Sequence, residues 1–291
     1  MLLGNCTVGT GAEAVLRHRA GLGSIALAAL LWSTGGLLIK WAALPPASIM
    51  AIRAGFAALL FLVVFRRKVF ILTQGIFLAS CFYAFLVGSF VFATKLTTAA
   101  NAIFLQYTAP IYLIILEPWL FRYRISQANL FTAILCLGGM GLFFIDDFSA
   151  GGLLGNILSL LSGMALAGMM LTQRKNLPQH QEASIFWGNV WVVLAGAPLA
   201  LAGPTPGWQD WGILAFLGLV QIGLGYILFT RGLKEVTALE SSLVAMLEPV
   251  LNPVWVWVGY GETPGSFAML GGSIILLALV FRVVFTSRMA A

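Results

Sequence analysis

The stretch Leu247-Glu248-Pro249-Val250-Leu251-Asn252-Pro253 decides how the rest of the chain is read. It puts a carboxylate, an amide and two prolines inside an apolar run, Thr237 to Tyr260, long enough to cross a bilayer. A lone carboxylate in hydrocarbon is costly, so its presence there points to a functional site. Pro249 and Pro253 lack N–H donors and free the carbonyls of Ala245 and Pro249. At about 100° per residue, Glu240, Ser241, Glu248, Asn252 and Trp255 share one stripe of this helix. An earlier stretch, Thr98 to Pro118, has the same character, with Asn101, Gln106, Tyr107, Pro110 and Glu117-Pro118. Two interrupted apolar segments at corresponding places in two halves are the best sequence pointer to a membrane transport site.

Composition agrees with that reading. Of 291 residues, 60% are hydrophobic and 9% charged, against about 25% charged in a soluble domain. A large soluble core needs a charged coat that this chain cannot supply, so a single domain embedded in the lipid bilayer is expected. Runs of about 20 apolar residues predict spans near 22–42, 47–65, 70–93, 97–119, 126–145, 152–172, 183–202, 209–230, 237–259 and 264–286. Pro45-Pro46, Asp146-Asp147, Pro204-Thr205-Pro206 and Gly261-Glu262-Thr263-Pro264 punctuate them as turns. The expected fold is all-α integral membrane, with ten transmembrane helices in two inverted five-helix repeats. Residues 1–20 form a cytoplasmic tail, 21–146 the first repeat and 147–287 the second. The repeat is visible directly: one constant offset aligns Lys95 with Lys234, Thr98-Ala99 with Thr237-Ala238, and Pro110 with Pro249. An odd number of spans per half turns the second half over relative to the first.

The net charge of +6 would suggest nucleic acid in a soluble protein. Here the basic residues sit in short clusters between spans, so no nucleic-acid partner is expected. Arg17, Arg19, Arg66, Arg67, Lys68, Arg122, Arg124, Arg174, Lys175, Arg231, Lys234, Arg282 and Arg288 fall on one side; Lys40 and Lys95 mark the other. The positive-inside rule puts both termini in the cytoplasm of a cell with the chain in its inner membrane. Met1 to Ala14 has no early basic patch and does not read as a signal peptide. Cys6, Cys81 and Cys136 form neither a disulfide framework nor a metal spacing. No phosphate loop, metal pair or nucleophile triad appears, so no cofactor, metal site or catalytic group is expected.

Other polar residues lie inside spans. The first has Trp32-Ser33-Thr34, the third Ser80, Tyr83 and Ser89, the sixth Ser159 and Ser162, the eighth Gln221 and Tyr226. Ser159, Gly163 and Ala167 form a row of small residues suited to close helix contact. Arg53 lies about two turns inside its span, within reach of the interface by snorkelling roughly 10 Å, and is read as structural. Glu117 is read as an interfacial charge paired near Arg122 and Arg124. Trp187, Trp191, Trp208, Trp211, Trp255 and Trp257 are read as interfacial belt residues.

Ten spans in two halves, Trp32-Ser33 in span one, Arg53-Ala54 in span two, and Thr-Ala followed by Pro in spans four and nine resemble the drug/metabolite transporter superfamily. More narrowly they resemble EamA-type permeases and, among them, bacterial aromatic amino-acid exporters. The resemblance implies a basket-like bundle with spans five and ten peripheral and spans one, three, four, six, eight and nine around a cavity. It marks Trp32, Tyr83, Asn101, Tyr107, Ser162, Tyr226 and Glu248 as lining positions. Ser33, Gln106, Ser241 and Asn252 join them as substrate-binding candidates from their place in the spans. Span six departs from aromatic-rich relatives, since Met164-Ala165-Leu166 has no Trp. A monomeric exporter of hydrophobic amino acids or related small molecules, working by alternating access, is therefore expected. The cavity would offer aromatic and Met surfaces, with Asn101, Gln106 and Glu248 for polar groups. The shortage of buried cations argues against phosphorylated cargo. Export of cationic drugs is the alternative within the superfamily. A membrane enzyme would need an acid–base cluster at one interface, for which Glu235 and Glu240 are thin material.

Overall fold

The computed structural model of the chain describes residues 11–97, 99–147, 152–260 and 265–289. The tail through residue 10, Cys6, Thr98 and the expected turn at 261–264 lie outside them. Within the described residues all regular structure is helical. The helices are α1 (Gly11–Trp32), α2 (Gly35–Trp41), α3 (Pro46–Phe65), α4 (Gln74–Leu96), α5 (Ala99–Gln106), α6 (Ala109–Phe121) and α7 (Gln127–Asp147). They continue as α8 (Leu153–Lys175), α9 (Gln181–Leu201), α10 (Trp208–Ala215), α11 (Gly225–Leu233), α12 (Ala238–Ala245), α13 (Leu247–Tyr260) and α14 (Ser266–Met289). Eight helical stretches are long and apolar enough to cross a membrane; two more, Gln127–Leu142 and Met269–Phe281, are apolar but shorter. The chain is thus an all-helical, multi-pass membrane protein, and these two shorter stretches leave the count of ten as an expectation.

Three spans are broken, and local chemistry explains where. Pro110 cannot donate to the carbonyl of Gln106, and α5 ends at Gln106. Pro249 cannot donate to Ala245, and α12 ends there. The carbonyls freed by Pro110 and Pro249 therefore coincide with the breaks at Tyr107-Thr108 and Met246, whereas Pro253 lies inside α13 without ending it. The break between α1 and α2 has another cause. Ser33 and Thr34 turn their hydroxyls back onto the carbonyls of Leu30 and Leu31, each at 2.7 Å, competing with the backbone ladder just before Gly35-Gly36. A fourth irregularity, a π-helical segment at Phe216–Leu224, joins α10 to α11; it leaves no mark in the hydrophobic pattern.

α4 packs along α8 and α9, α3 along α9 and the π-segment, and α1 along α11. α7 and α14 pack chiefly on each other, at the periphery. The row Ser159, Gly163 and Ala167 makes the close contact it suggests. A Cβ on Gly163 would stand 2.6 Å from the backbone oxygen of Gln106, so only glycine lets α8 approach the α5–α6 break. Gly218 does the same for the π-segment, where a Cβ would meet Phe56 Cβ at 2.4 Å and the Arg53 carbonyl oxygen at 2.5 Å. Gly218→Ala is expected to cost about 1–3 kcal/mol by overpacking, whereas Gly212→Ala, with nothing within 4 Å, should be near neutral. Thermal unfolding of the two purified variants in detergent checks the contrast.

The two ends of the bundle are each tied by polar links. At one end, Lys40 Nζ donates to the Thr97 carbonyl at 3.1 Å and Lys95 Nζ to the Ala42 carbonyl at 2.9 Å. Each lysine thus caps the other's helix end. Asp210 accepts from the Ala43 amide at the same end. At the opposite, more basic end, Glu117 is fully buried. This corrects its reading as an interfacial partner of Arg122 and Arg124. Its carboxylate accepts from the backbone amides of Ala238 and Leu239, at 2.7 and 2.8 Å, and lies 3.7 Å from Arg174 Nη1. Arg174 also donates to the Val236 carbonyl at 2.6 Å. The Tyr123 phenol sits beside Glu117, and burial first, then that negative charge, push its pKa up, so it stays a neutral donor. Thr237 and Glu240 form a reciprocal capping box at the start of α12. Glu240 also meets His18 Nε2 at 3.3 Å, so it is a structural acid here.

Two tryptophans depart from the belt reading. Trp255 Nε1 donates to Ser33 Oγ at 2.7 Å, and Trp191 Nε1 to Ser80 Oγ at 2.9 Å. Both indoles face neighbouring helices because buried hydroxyls there satisfy the N–H. Trp208 is 83% exposed, as a belt residue would be.

Candidate functional site

The breaks and the π-segment surround one cavity. Trp32, Arg53, Leu86, Val87, Phe90, Gln106, Tyr107, Leu166, Gln221, Ile222, Tyr226 and Glu248 line it. These residues come from spans one, two, three, four, six, eight and nine. The set implied by the resemblance is therefore present, with span two added. The cavity is small, about 40 Å³, room for a few waters.

Glu248 stands at the first turn of α13, 5% exposed. Its Oε2 accepts from the Tyr107 hydroxyl at 2.6 Å. This bond joins the break of span four to the break of span nine. Gln106 ends α5, and its Oε1 accepts from Ser162 Oγ at 2.8 Å. Ser162 thus supports the wall from behind. Trp32, at the end of α1, lies against Tyr226 and Phe229 with ring centroids 4.7 and 5.2 Å away. Tyr226 in turn meets Tyr83 edge-on at 4.8 Å. Tyr83 accepts from Asn189 Nδ2 at 2.9 Å, so it is a second layer that fixes Tyr226. Ser33 is fully buried beside Trp32, bonded to Leu30 and Trp255 rather than facing the cavity.

Three candidates lie elsewhere. Asn101 is five residues before Gln106, about 7.5 Å along the helix, and its Nδ2 reaches Thr97 Oγ1 at 3.4 Å. Ser241 shares a stripe with Glu248 but sits two turns away, about 10 Å, bonded to the Thr237 carbonyl. Asn252 is buried against Gly36, where a Cβ would come within 2.6 Å of its Oδ1. A shared helical face gives a common direction and not a common depth.

Two polar residues of the lining were not among the binding candidates. Arg53 is 2% exposed and turns into the cavity, where Nη2 donates to the Val87 carbonyl at 3.3 Å. The snorkelling reading fails because the side chain is buried in the cavity wall and bonded to a carbonyl of span three instead of reaching the interface. The same residue removes the argument from absent buried cations. Gln221 lies in the π-segment; its Nε2 reaches the Trp32 carbonyl at 3.4 Å and its Oε1 has no partner. π-segments inside helices often mark functional sites. Arg53 did carry a legible signal, a cation within a span, whereas Gln221 was visible only as a polar residue. The expected Met surface is absent: Met164 is 50% exposed on the outside, and Leu166 faces in. Among the described residues no cluster of His, Cys, Asp and Glu could hold a metal.

The model of the EamA-like transporter family matches twice, over residues 19–145 and 153–284. The chain belongs to the EamA-like transporter family. An uncharacterized transporter of Archaeoglobus fulgidus is 26% identical over 263 residues, covering 90% of this chain and 96% of that protein. A biotin transporter of Escherichia coli K12 is 29% identical over 248 residues, covering 78% and 80%. A biotin transporter of Salmonella typhimurium is 30% identical over 208 residues, covering 64% and 66%. A solved crystal structure superposes with a TM-score of 0.75 at 17% identity, covering 93% of this chain and 98% of that one. That likeness shows a shared fold. The cavity is lined at the broken helices of both matched segments.

Proposed function

We propose that this EamA-family transporter exports hydrophobic or aromatic amino acids, or related small metabolites, across the inner membrane by alternating access. Both termini would lie in the cytoplasm, where the basic clusters gather. One observation carries the substrate reading. The cavity sets the aromatic faces of Trp32, Tyr226 and Phe90 beside Glu248, Gln106 and Gln221. Rings suit an apolar side chain, and the polar groups suit an amino-acid backbone. The present cavity is much smaller than such a cargo, so loading requires one end of the bundle to open. The links at Lys40–Thr97 and Lys95–Ala42, and at Glu117–Ala238, are the contacts such openings would break.

A second reading is favoured by the named relatives. Biotin joins an apolar ring system to a ureido group and a carboxylate, and the same lining offers partners for each. Flux into proteoliposomes of phenylalanine, leucine, biotin and a lipophilic cation separates the readings. Saturable amino-acid flux supports export of amino acids. Saturation by biotin alone selects the second reading, and by the cation alone the drug-exporter alternative. If no solute saturates in well-folded protein, the substrate-site assignment falls.

A further inference from the structure

Arg53 is a buried guanidinium with no counter-ion among the described residues. It lies in the membrane-spanning stretch Pro46–Phe70 and is 2% exposed. Among the described residues, no carboxylate comes within ion-pairing distance of it. Glu248, the carboxylic acid of the lining, is bonded to Tyr107 instead. A guanidinium carries five N–H donors; here Nη2 has the Val87 carbonyl at 3.3 Å, and Nε has no partner. A cation held this way inside a membrane is expensive unless something else completes it. Its backbone is also pinned, since the Arg53 carbonyl abuts Gly218 of the π-segment. The side chain lines the cavity.

We infer that Arg53 anchors a carboxylate of the cargo, so that the site takes organic acids with an apolar body and rejects the matching amines. The inference rests on the reading of this cavity as the cargo site. The planar fork of arginine matches a carboxylate bidentately, which a lysine cannot do. A phosphate offers the same oxygen geometry, but its dianion carries a second negative charge for which the lining holds no second cation. Amino acids and biotin both carry the required group, and a lipophilic cation does not.

The test compares phenylalanine, phenethylamine, phenylalanine amide and phenyl phosphate in proteoliposomes of the wild type, Arg53→Gln and Arg53→Lys. The wild type should carry phenylalanine with a KM at least tenfold below that of the amine, the amide and the phosphate ester. Arg53→Gln should raise the phenylalanine KM at least tenfold and erase the preference over the amide, with Arg53→Lys in between. Should Arg53→Gln fail to fold, the wild-type series alone decides. Equal transport of acid and amide, or a phenylalanine KM within twofold of wild type in Arg53→Gln, overturns the anchor while leaving the cavity as the transport site. Preference for the phosphate ester overturns the carboxylate assignment. Absence of saturable flux for all of these solutes and for biotin overturns the underlying site reading as well; where biotin alone saturates, biotin and its amide take the place of phenylalanine and phenylalanine amide in the same comparison.

Discussion

Glu117→Ala is expected to destabilise the protein by about 3–5 kcal/mol, the loss seen when one partner of a buried ion pair is removed. The carboxylate is fully buried and holds three elements at once. It caps the amides of Ala238 and Leu239, the first residues of α12, and sits against Arg174 at the end of α8. Without it, two backbone donors lose their acceptor and Arg174 keeps the Val236 carbonyl and the face of the Phe121 ring, 5.5 Å away. Each unsatisfied buried donor costs about 1–3 kcal/mol. Glu117→Gln should lose less, because its amide oxygen still accepts one of the two bonds. Glu182, paired with Lys234 near the surface, is the control, with an expected change of no more than about 1 kcal/mol on substitution by alanine. Equilibrium unfolding in detergent measures both. If the two alanine variants unfold alike, Glu117 does not clasp the basic end of the bundle.

Glu248→Gln should lower flux of the transported solute by about 10- to 100-fold, the equivalent of losing one charge-assisted hydrogen bond at roughly 1.5–3 kcal/mol. The substitution keeps an acceptor for Tyr107 while removing the charge that a substrate ammonium, or a counter-transported proton, would meet. Glu248→Ala adds a fault in the fold, because the Tyr107 hydroxyl is left buried without its acceptor. Only Glu248→Gln therefore separates transport from stability. The measurement is flux with and without an imposed pH gradient. If Glu248→Gln transports normally and still responds to the gradient, Glu248 is not the coupling residue.

How much of this was legible in the chain depends on the range of the interaction involved. Pro110 and Pro249 act on the carbonyl four residues back, so the ends of α5 and α12 could be read from local chemistry. Trp32, Gln106, Tyr107, Tyr226 and Glu248 stood out as polar or amphipathic groups inside spans, and all five line the cavity. Asn101 and Ser241 stood out equally and do not, because their depth along the helix separates them from the breaks. The cut at Ser33-Thr34 arises from hydroxyl back-bonding, a signal present in the sequence but common in unbroken membrane helices as well. The π-segment that brings Gln221 to the wall depends on packing against α3 through Gly218, and no periodicity announces it.

By itself the sequence determined that this is a multi-span helical membrane protein, because each span's hydrophobic length and each proline's missing donor act within a few residues. It also located the two interrupted segments that prove to face each other. Which side chains share the cavity was decided only by the tertiary structure. Arg53 turns inward to the Val87 carbonyl of span three, and Glu117 is buried because the start of α12 meets it from more than a hundred residues away. Charges in a membrane are directed by the groups that satisfy them, and those groups lie on other helices.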